Sequence, residues 1–310
     1  MKRLIILGLC LALVLSLAAC GTKTPAAADP APTAAATQPP VENAPTAPAH
    51  MPTEAPADYT VTDSVLENSD LCAFTITGTE YNDHLGLQIQ VRCENKSDRT
   101  LMFSWSNVSI CGFMYEPFWA EELAPGTQLD TTVGIDTYAL EQIGIDSVDE
   151  ITFTLSIQDS EAFMDAPLVQ KEYTIYPTGK SADTVKFPVY EPQEEDTVIA
   201  DNETVTFIVR NVDDELADYY TLNCYIANNT GKNLMVAWED VSVNGFPINP
   251  FWTTTIAAGK QAYSEIIFYR SELEAYDIEV VQDVAFTLEV SDTDTWETEY
   301  QLAGNFKPVQ

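Results

Sequence analysis

Between residues 85 and 93 every second position is apolar: Leu85, Leu87, Ile89, Val91 and Cys93 alternate with mostly polar neighbours. Tyr220, Leu222, Cys224 and Ile226 repeat the pattern further along. Successive side chains of an extended chain point to opposite faces, so this alternation predicts strands with one buried face. Comparable runs predict strands over 71–78, 101–110, 127–135, 151–158 and 170–176, with a short one near 62–66. Asn244-Gly245 and Ala258-Gly259 mark turns. Helical patterning is brief, at Leu140 to Ile143 and at Ser271 to Tyr276, where Ser271 and Glu274 have the spacing of a capping box.

The pattern then recurs with a shift of about 133 residues. Asn95, Leu101, Trp105, Gly112, Phe113, Pro117, Phe118 and Trp119 in the first copy match Asn228, Leu234, Trp238, Gly245, Phe246, Pro250, Phe251 and Trp252 in the second. The match runs without a gap to Asp159 and Asp292, as a duplication requires. Seven or eight short strands in about 110 residues suit a sandwich rather than an α/β arrangement. The expected fold is all-β: two tandem immunoglobulin-like β-sandwich domains, at 59–177 and 198–310, joined by an acidic, proline-containing linker over 178–197.

Residues 1–20 have a different character. Lys2 and Arg3 precede an apolar run from Leu4 to Ala19 that is too short to span a bilayer and has the layout of a secretion signal. Leu17-Ala18-Ala19-Cys20 resembles the lipobox of bacterial lipoproteins. That resemblance implies cleavage before Cys20, a diacylglycerol on its sulfur, and a chain held at the outer face of the cell membrane. Residues 21–58 are mostly Ala, Pro and Thr with no periodic apolar face, so they are expected to form a disordered tether with a reach on the order of 100 Å.

Charge narrows the functions. There are 48 acidic residues against 14 basic ones, a net charge of −34. Nucleic-acid binding needs clustered Lys and Arg to displace phosphate counterions, so that class is set aside. The same charge opposes adhesion to anionic lipid, leaving the covalent anchor as the route to the membrane.

Asn228 with Leu234, the run Val241-Ser242-Val243-Asn244-Gly245, Phe251-Trp252, Ala257-Ala258-Gly259-Lys260 and Asp292-Thr293-Asp294-Thr295-Trp296 resemble a family of tandem extracellular domains in lipoproteins of Gram-positive gut-type bacteria. More remotely they resemble the immunoglobulin-like lipoprotein domains grouped as DUF4352. The resemblance covers both copies and implies no activity. The first copy departs from it at Cys111, which stands in the place of Asn244, and a differently shaped turn is expected there.

Three groups of residues are candidates for chemistry. The repeated aromatic residues, among them Phe118, Trp119, Phe251 and Trp252, form either a shared core or a platform on which sugar rings or a peptide stack; Trp119 and Trp252, which follow a turn and a proline, are the ones expected to face solvent. Cys72 and Cys93 are expected across a hairpin, either as a disulfide or as buried thiols, since Val205 and Ile226 replace them in the second copy. Asp213, Asp214, Glu215 and Asp218, and Asp292 with Asp294, read as solvated loops, without the spacing of a metal loop. His50 and His84 are the only histidines and neither recurs, so no catalytic set and no cofactor is expected. The expected function is a non-catalytic binding module for a glycan or protein outside the cell. A structural spacer without a ligand is one alternative, and an extracellular hydrolase using two of the carboxylates is another.

Overall fold

The computed structural model describes residues 59–61 and 64–308. The signal over 1–20, Cys20, the tether over 21–58 and His50 therefore lie outside the described residues.

The first half carries β1 (Ser64–Asn68), β2 (Cys72–Asn82), β3 (Gly86–Asn95), β4 (Leu101–Ile110), β5 (Phe113–Met114), β6 (Ala120–Leu123), β7 (Gln128–Ile135), helix α1 (Thr137–Ile143), β8 (Ile151–Asp159) and β9 (Val169–Ile175). The second repeats this order as β10 (Thr197–Asp201), β11 (Val205–Asp213), β12 (Tyr219–Asn228), β13 (Leu234–Val243), β14 (Phe246–Pro247), β15 (Thr253–Ile256), β16 (Gln261–Tyr269), helix α2 (Arg270–Glu274), β17 (Val284–Asp292) and β18 (Thr298–Phe306). The chain is all-β, and its sheets pack face to face as sandwiches. In the first half the order β1-β2-β3-β7 faces β4-β8-β9, with β5 and β6 on the free edge of β4. In the second, β10-β11-β12-β16 faces β13-β17-β18, with β14 and β15 on the edge of β13.

The halves agree down to their irregularities. Bulges in the first half, at Val65–Glu67, Ile76–Gly78 and Ser106–Ser109, recur in the second at Val198–Ala200, Val209–Asn211 and Glu239–Ser242. A bulge re-aims the side chains that follow it, so each half turns the same residues inward. Only the last hairpin departs from the common spacing: Ile151 pairs with Ile175 in the first half, while its counterpart Val284 pairs with Phe306, so the second loop is two residues shorter.

Leu87, Ile89, Val91 and Cys93 turn into the core, as do Tyr220, Leu222, Cys224 and Ile226, whereas Leu85, expected on the same face, lies on the turn before β3 and is exposed. Each half fills its interior around an aromatic quartet: Phe74, Trp105, Trp119 and Phe153 in the first, Phe207, Trp238, Trp252 and Phe286 in the second. Trp105 stacks on Phe153 at 3.7 Å and Trp238 on Phe286 at 3.8 Å, while Trp119 and Trp252 meet Phe74 and Phe207 edge-on at 6.0 and 5.7 Å. Helix α1 is capped by Asp136, whose carboxylate accepts from the Ala139 amide at 2.7 Å. Helix α2 starts differently from the expected capping box: its N-cap is Tyr269, without a side-chain cap, and Ser271 lies inside the helix.

A continuous nine-stranded sheet runs through both halves, because β5 meets β16 in a short parallel contact in which the Gln261 amide donates to Gly112 O at 2.9 Å. Phe113 packs against Tyr263 at 5.1 Å, and Lys260 reaches Glu150 at 3.4 Å. Part of the acidic linker packs at this contact. Tyr190 stacks on Tyr225 at 4.2 Å, Pro188 O accepts from Gln261 Nε2 at 2.8 Å, and Arg210 lies 4.4 Å over the Tyr263 ring.

Candidate ligand-binding surface

Strand β4 has two partners along one edge. Ile110 and Ser109 pair with β5, Leu101 to Ser104 pair with β6, and between them residues 115–119 leave the sheet in a short excursion. Residues 248–252 do the same beside β13. The excursion places neighbouring aromatic residues on opposite sides. Trp119 turns into the core and is 8% exposed, and Trp252 is half-buried with its indole Nε1 donating to Ser264 Oγ at 3.0 Å. Of the two alternatives, Trp119 takes the shared core, and the expectation that Trp119 and Trp252 would be the most exposed of these rings is corrected. The exposed rings are their predecessors: Phe118 is fully exposed and Phe251 is 86% exposed.

The inversion comes from the backbone. Phe118 and Phe251 adopt φ of 44° and 50°, in the left-handed region that a bulky L-residue rarely enters. In the second half Asn249 holds the bend by accepting from the Phe251 amide at 2.8 Å. Such strain costs of order 1–3 kcal/mol. It is repeated in both halves with a large apolar ring left in water each time. Beside Phe118 partial desolvation pushes the carboxyl of the exposed Glu116 up. Tyr115, whose hydroxyl donates to Asp136 at 3.2 Å, is raised to about 12 by burial and by that carboxylate.

A second pair of exposed aromatic residues escaped the sequence reading. Phe163 and Trp296 stand exposed in the equivalent hairpin loops β8–β9 and β17–β18. Trp296 has a φ of 59°. The available signal was an aromatic residue shortly after Asp159 and Asp292 in both copies.

Cys72 and Cys93 are buried free thiols, so the disulfide alternative is excluded. The register of β2 and β3 puts Cys93 opposite Phe74 and Cys72 opposite Asn95. A diagonal of that kind, about 7–8 Å, exceeds the usual Cα separation of a disulfide, about 4.4–6.8 Å. Burial pushes the Cys93 thiol up to about 12, which removes its nucleophilic form at neutral pH.

The acidic groups have structural partners. The Asp292 carboxylate accepts from the Asp294 and Thr295 amides at 2.8 and 3.2 Å and faces Lys232 at 3.3 Å, and these contacts lower its pKa. The loop at 213–218 is held by its backbone, with Arg270 donating to the carbonyls of Asp214 and Leu216. Among the described residues no group of His, Cys, Asp and Glu is placed to hold a metal ion. His84 is exposed on the β2–β3 loop, and its amide donates to Asn82 Oδ1 at 2.8 Å.

One further concavity lies at the end of the second half. A cleft of about 710 Å³ opens between the β11–β12 turn, α2 and the loop that follows it, with Tyr220, Leu273 and Val281 in its lining and Asp214, Glu274, Asp277 and Glu279 around it.

No protein-family model and no curated protein matches this chain.

Proposed function

We propose that this chain is a non-catalytic binding protein anchored through a lipid on Cys20 to the outer face of the bacterial cell membrane. Its two halves act as tandem immunoglobulin-like modules, over 59–177 and 198–310, on a tether formed by residues 21–58. The ligand is a glycan or protein outside the cell. The observation that supports this reading is the pair Phe118 and Phe251. A protein gains no stability from a bulky ring held in water on a strained backbone, so its repetition at equivalent positions argues for a contact made there. Two such contacts on one chain would raise avidity for a repetitive target.

The test is a glycan and peptide array probed with the fragment from residue 59 onward. Binding that falls at least tenfold in the double variant Phe118→Ser, Phe251→Ser, with the thermal transition unchanged, supports the reading. Replacing Trp119 would instead remove part of the core. Its burial favours a second reading, an envelope spacer without a ligand. A fragment that binds nothing on either array favours the spacer.

A further inference from the structure

The duplication provides an internal control for the cleft in the second half. In the first half the equivalent place is filled by the chain itself. Tyr59 stacks on Tyr81 at 5.8 Å, its hydroxyl accepts from the Val148 amide at 3.4 Å, and the Thr60 amide donates to Pro177 O at 2.8 Å. Tyr59 and Val61 pack against the core of that half. The shared register maps Tyr81, Val148 and Pro177 onto Asp214, Val281 and Pro308, and all three line the open cleft.

The segment that enters the second half takes another route. Ahead of β10, Tyr190 is drawn to the contact between the halves, stacked on Tyr225 with its hydroxyl donating to Asp196 at 2.9 and 2.8 Å. The cleft thus keeps the shape that receives a tyrosine-bearing segment, and among the described residues no such segment enters it. Residues 21–58 cannot supply the ring, because they contain no Phe, Tyr or Trp.

Charge indicates what would. Where the first half has Tyr81 and Gly144, the second has Asp214 and Asp277, and Glu274 and Glu279 add to the same lining. The one basic residue in the lining, Arg270, donates to the Asp214 and Leu216 carbonyls. We propose that this cleft binds an extended segment of a partner protein in which an aromatic residue is flanked by Lys or Arg. The ring enters beside Tyr220 and Leu273, the segment's backbone lies along Val281 and Pro308, and the flanking cations face Asp214, Glu274, Asp277 and Glu279. This is the mode in which an extended peptide docks by main-chain contacts and one anchoring pocket. The site is separate from Phe118 and Phe251 and does not depend on their role.

The probe is the peptide Ac-PAKYTVK-amide, this chain's own sequence over 56–61 with lysine for Asp58 and a lysine added at the end. Titrated into the full chain in detergent, it is expected to bind with a dissociation constant on the order of 100 μM and to shift the amide resonances of Ile278 and Val281. Affinity should fall at least tenfold for Ac-PAKATVK-amide, and at least tenfold in the chain carrying Glu274→Lys and Glu279→Lys, two exposed positions. It should be unchanged by Phe118→Ser with Phe251→Ser, which separates this site from the proposed ligand surface. Absence of binding at about 2 mM peptide, equal binding of the alanine peptide, or full binding by the charge-reversed chain would each overturn the proposal.

Discussion

Asn95 and Asn228 show how a single buried amide closes a sandwich. Each sits at the end of a strand, and its Nδ2 donates to three carbonyls: Arg99, Leu123 and Ala124 in the first half, Lys232, Ile256 and Ala257 in the second, all between 2.7 and 3.1 Å. Each Oδ1 accepts from the amide and hydroxyl two residues on, at Ser97 and at Thr230. A buried carbonyl stripped of its donor costs about 1–3 kcal/mol, so Asn228→Ala should destabilise the chain by about 3 kcal/mol, read as a lower urea midpoint at unchanged slope. The sequence marks Asn228 as repeated but cannot say why, because its carbonyl partners converge only once the strands close. Residue-level reading also fails at Phe118 and Trp119. Alternation alone would put one ring inside and one outside, but a left-handed residue after a proline decides which, and nothing in the composition reports φ.

β4–β5 and β13–β14 are joined by two residues with positive φ, Cys111 and Gly112 at 47° and 86°, Asn244 and Gly245 at 51° and 84°. Both are the turn that suits the right-handed twist of a hairpin, so Cys111 does not change the shape as its identity suggests. It does weaken the anchoring. Asn244 accepts from the Gln282 and Asp283 amides at 2.8 and 3.1 Å and donates to Val280 O at 2.9 Å. Cys111 offers only a weak thiol contact to Ser147 O at 3.7 Å. Replacing Cys111 by Asn should therefore raise stability by about 1 kcal/mol, an increase of a few degrees in melting temperature by calorimetry. The longer strands were legible because period two and one-sided burial coincide in them. Strands β5, β6, β14 and β15 were not, since two to four residues hold no period and their place depends on the bulge in the neighbouring strand.

Across the whole molecule, the contact between the halves joins an aromatic cluster to one enclosed ion pair. Lys260 and Glu150 have side chains only 16% and 9% exposed, and Lys260 also lies 5.2 Å from the Phe187 ring. Removing one member of such a pair leaves the other charge poorly solvated. Lys260→Ala should cost roughly 2 kcal/mol, less than for a fully enclosed pair, and should speed hydrogen exchange at Gln261 before it affects the strand interiors. None of this contact follows from periodicity, since Tyr190, Arg210 and Tyr263 are far apart in the chain and read singly as surface residues. The cleft was equally hidden, because its existence depends on where the chain ahead of β10 is led. The repeat itself was visible throughout, and it relates the open cleft to the place that Tyr59 fills in the first half.

Duplicated units with a donor edge and an acceptor face could in principle string together, but the two halves of this chain differ at the face that receives the contact. The first half offers Phe113 to a face built from Ile208, Tyr225 and Tyr263, but at the matching positions on its own surface it has Thr75, Arg92 and Asp130, the last two paired at 2.7 Å and exposed. An incoming Phe246 from another molecule would meet an exposed ion pair and one hydroxyl there instead of rings, which disfavours the same contact between molecules.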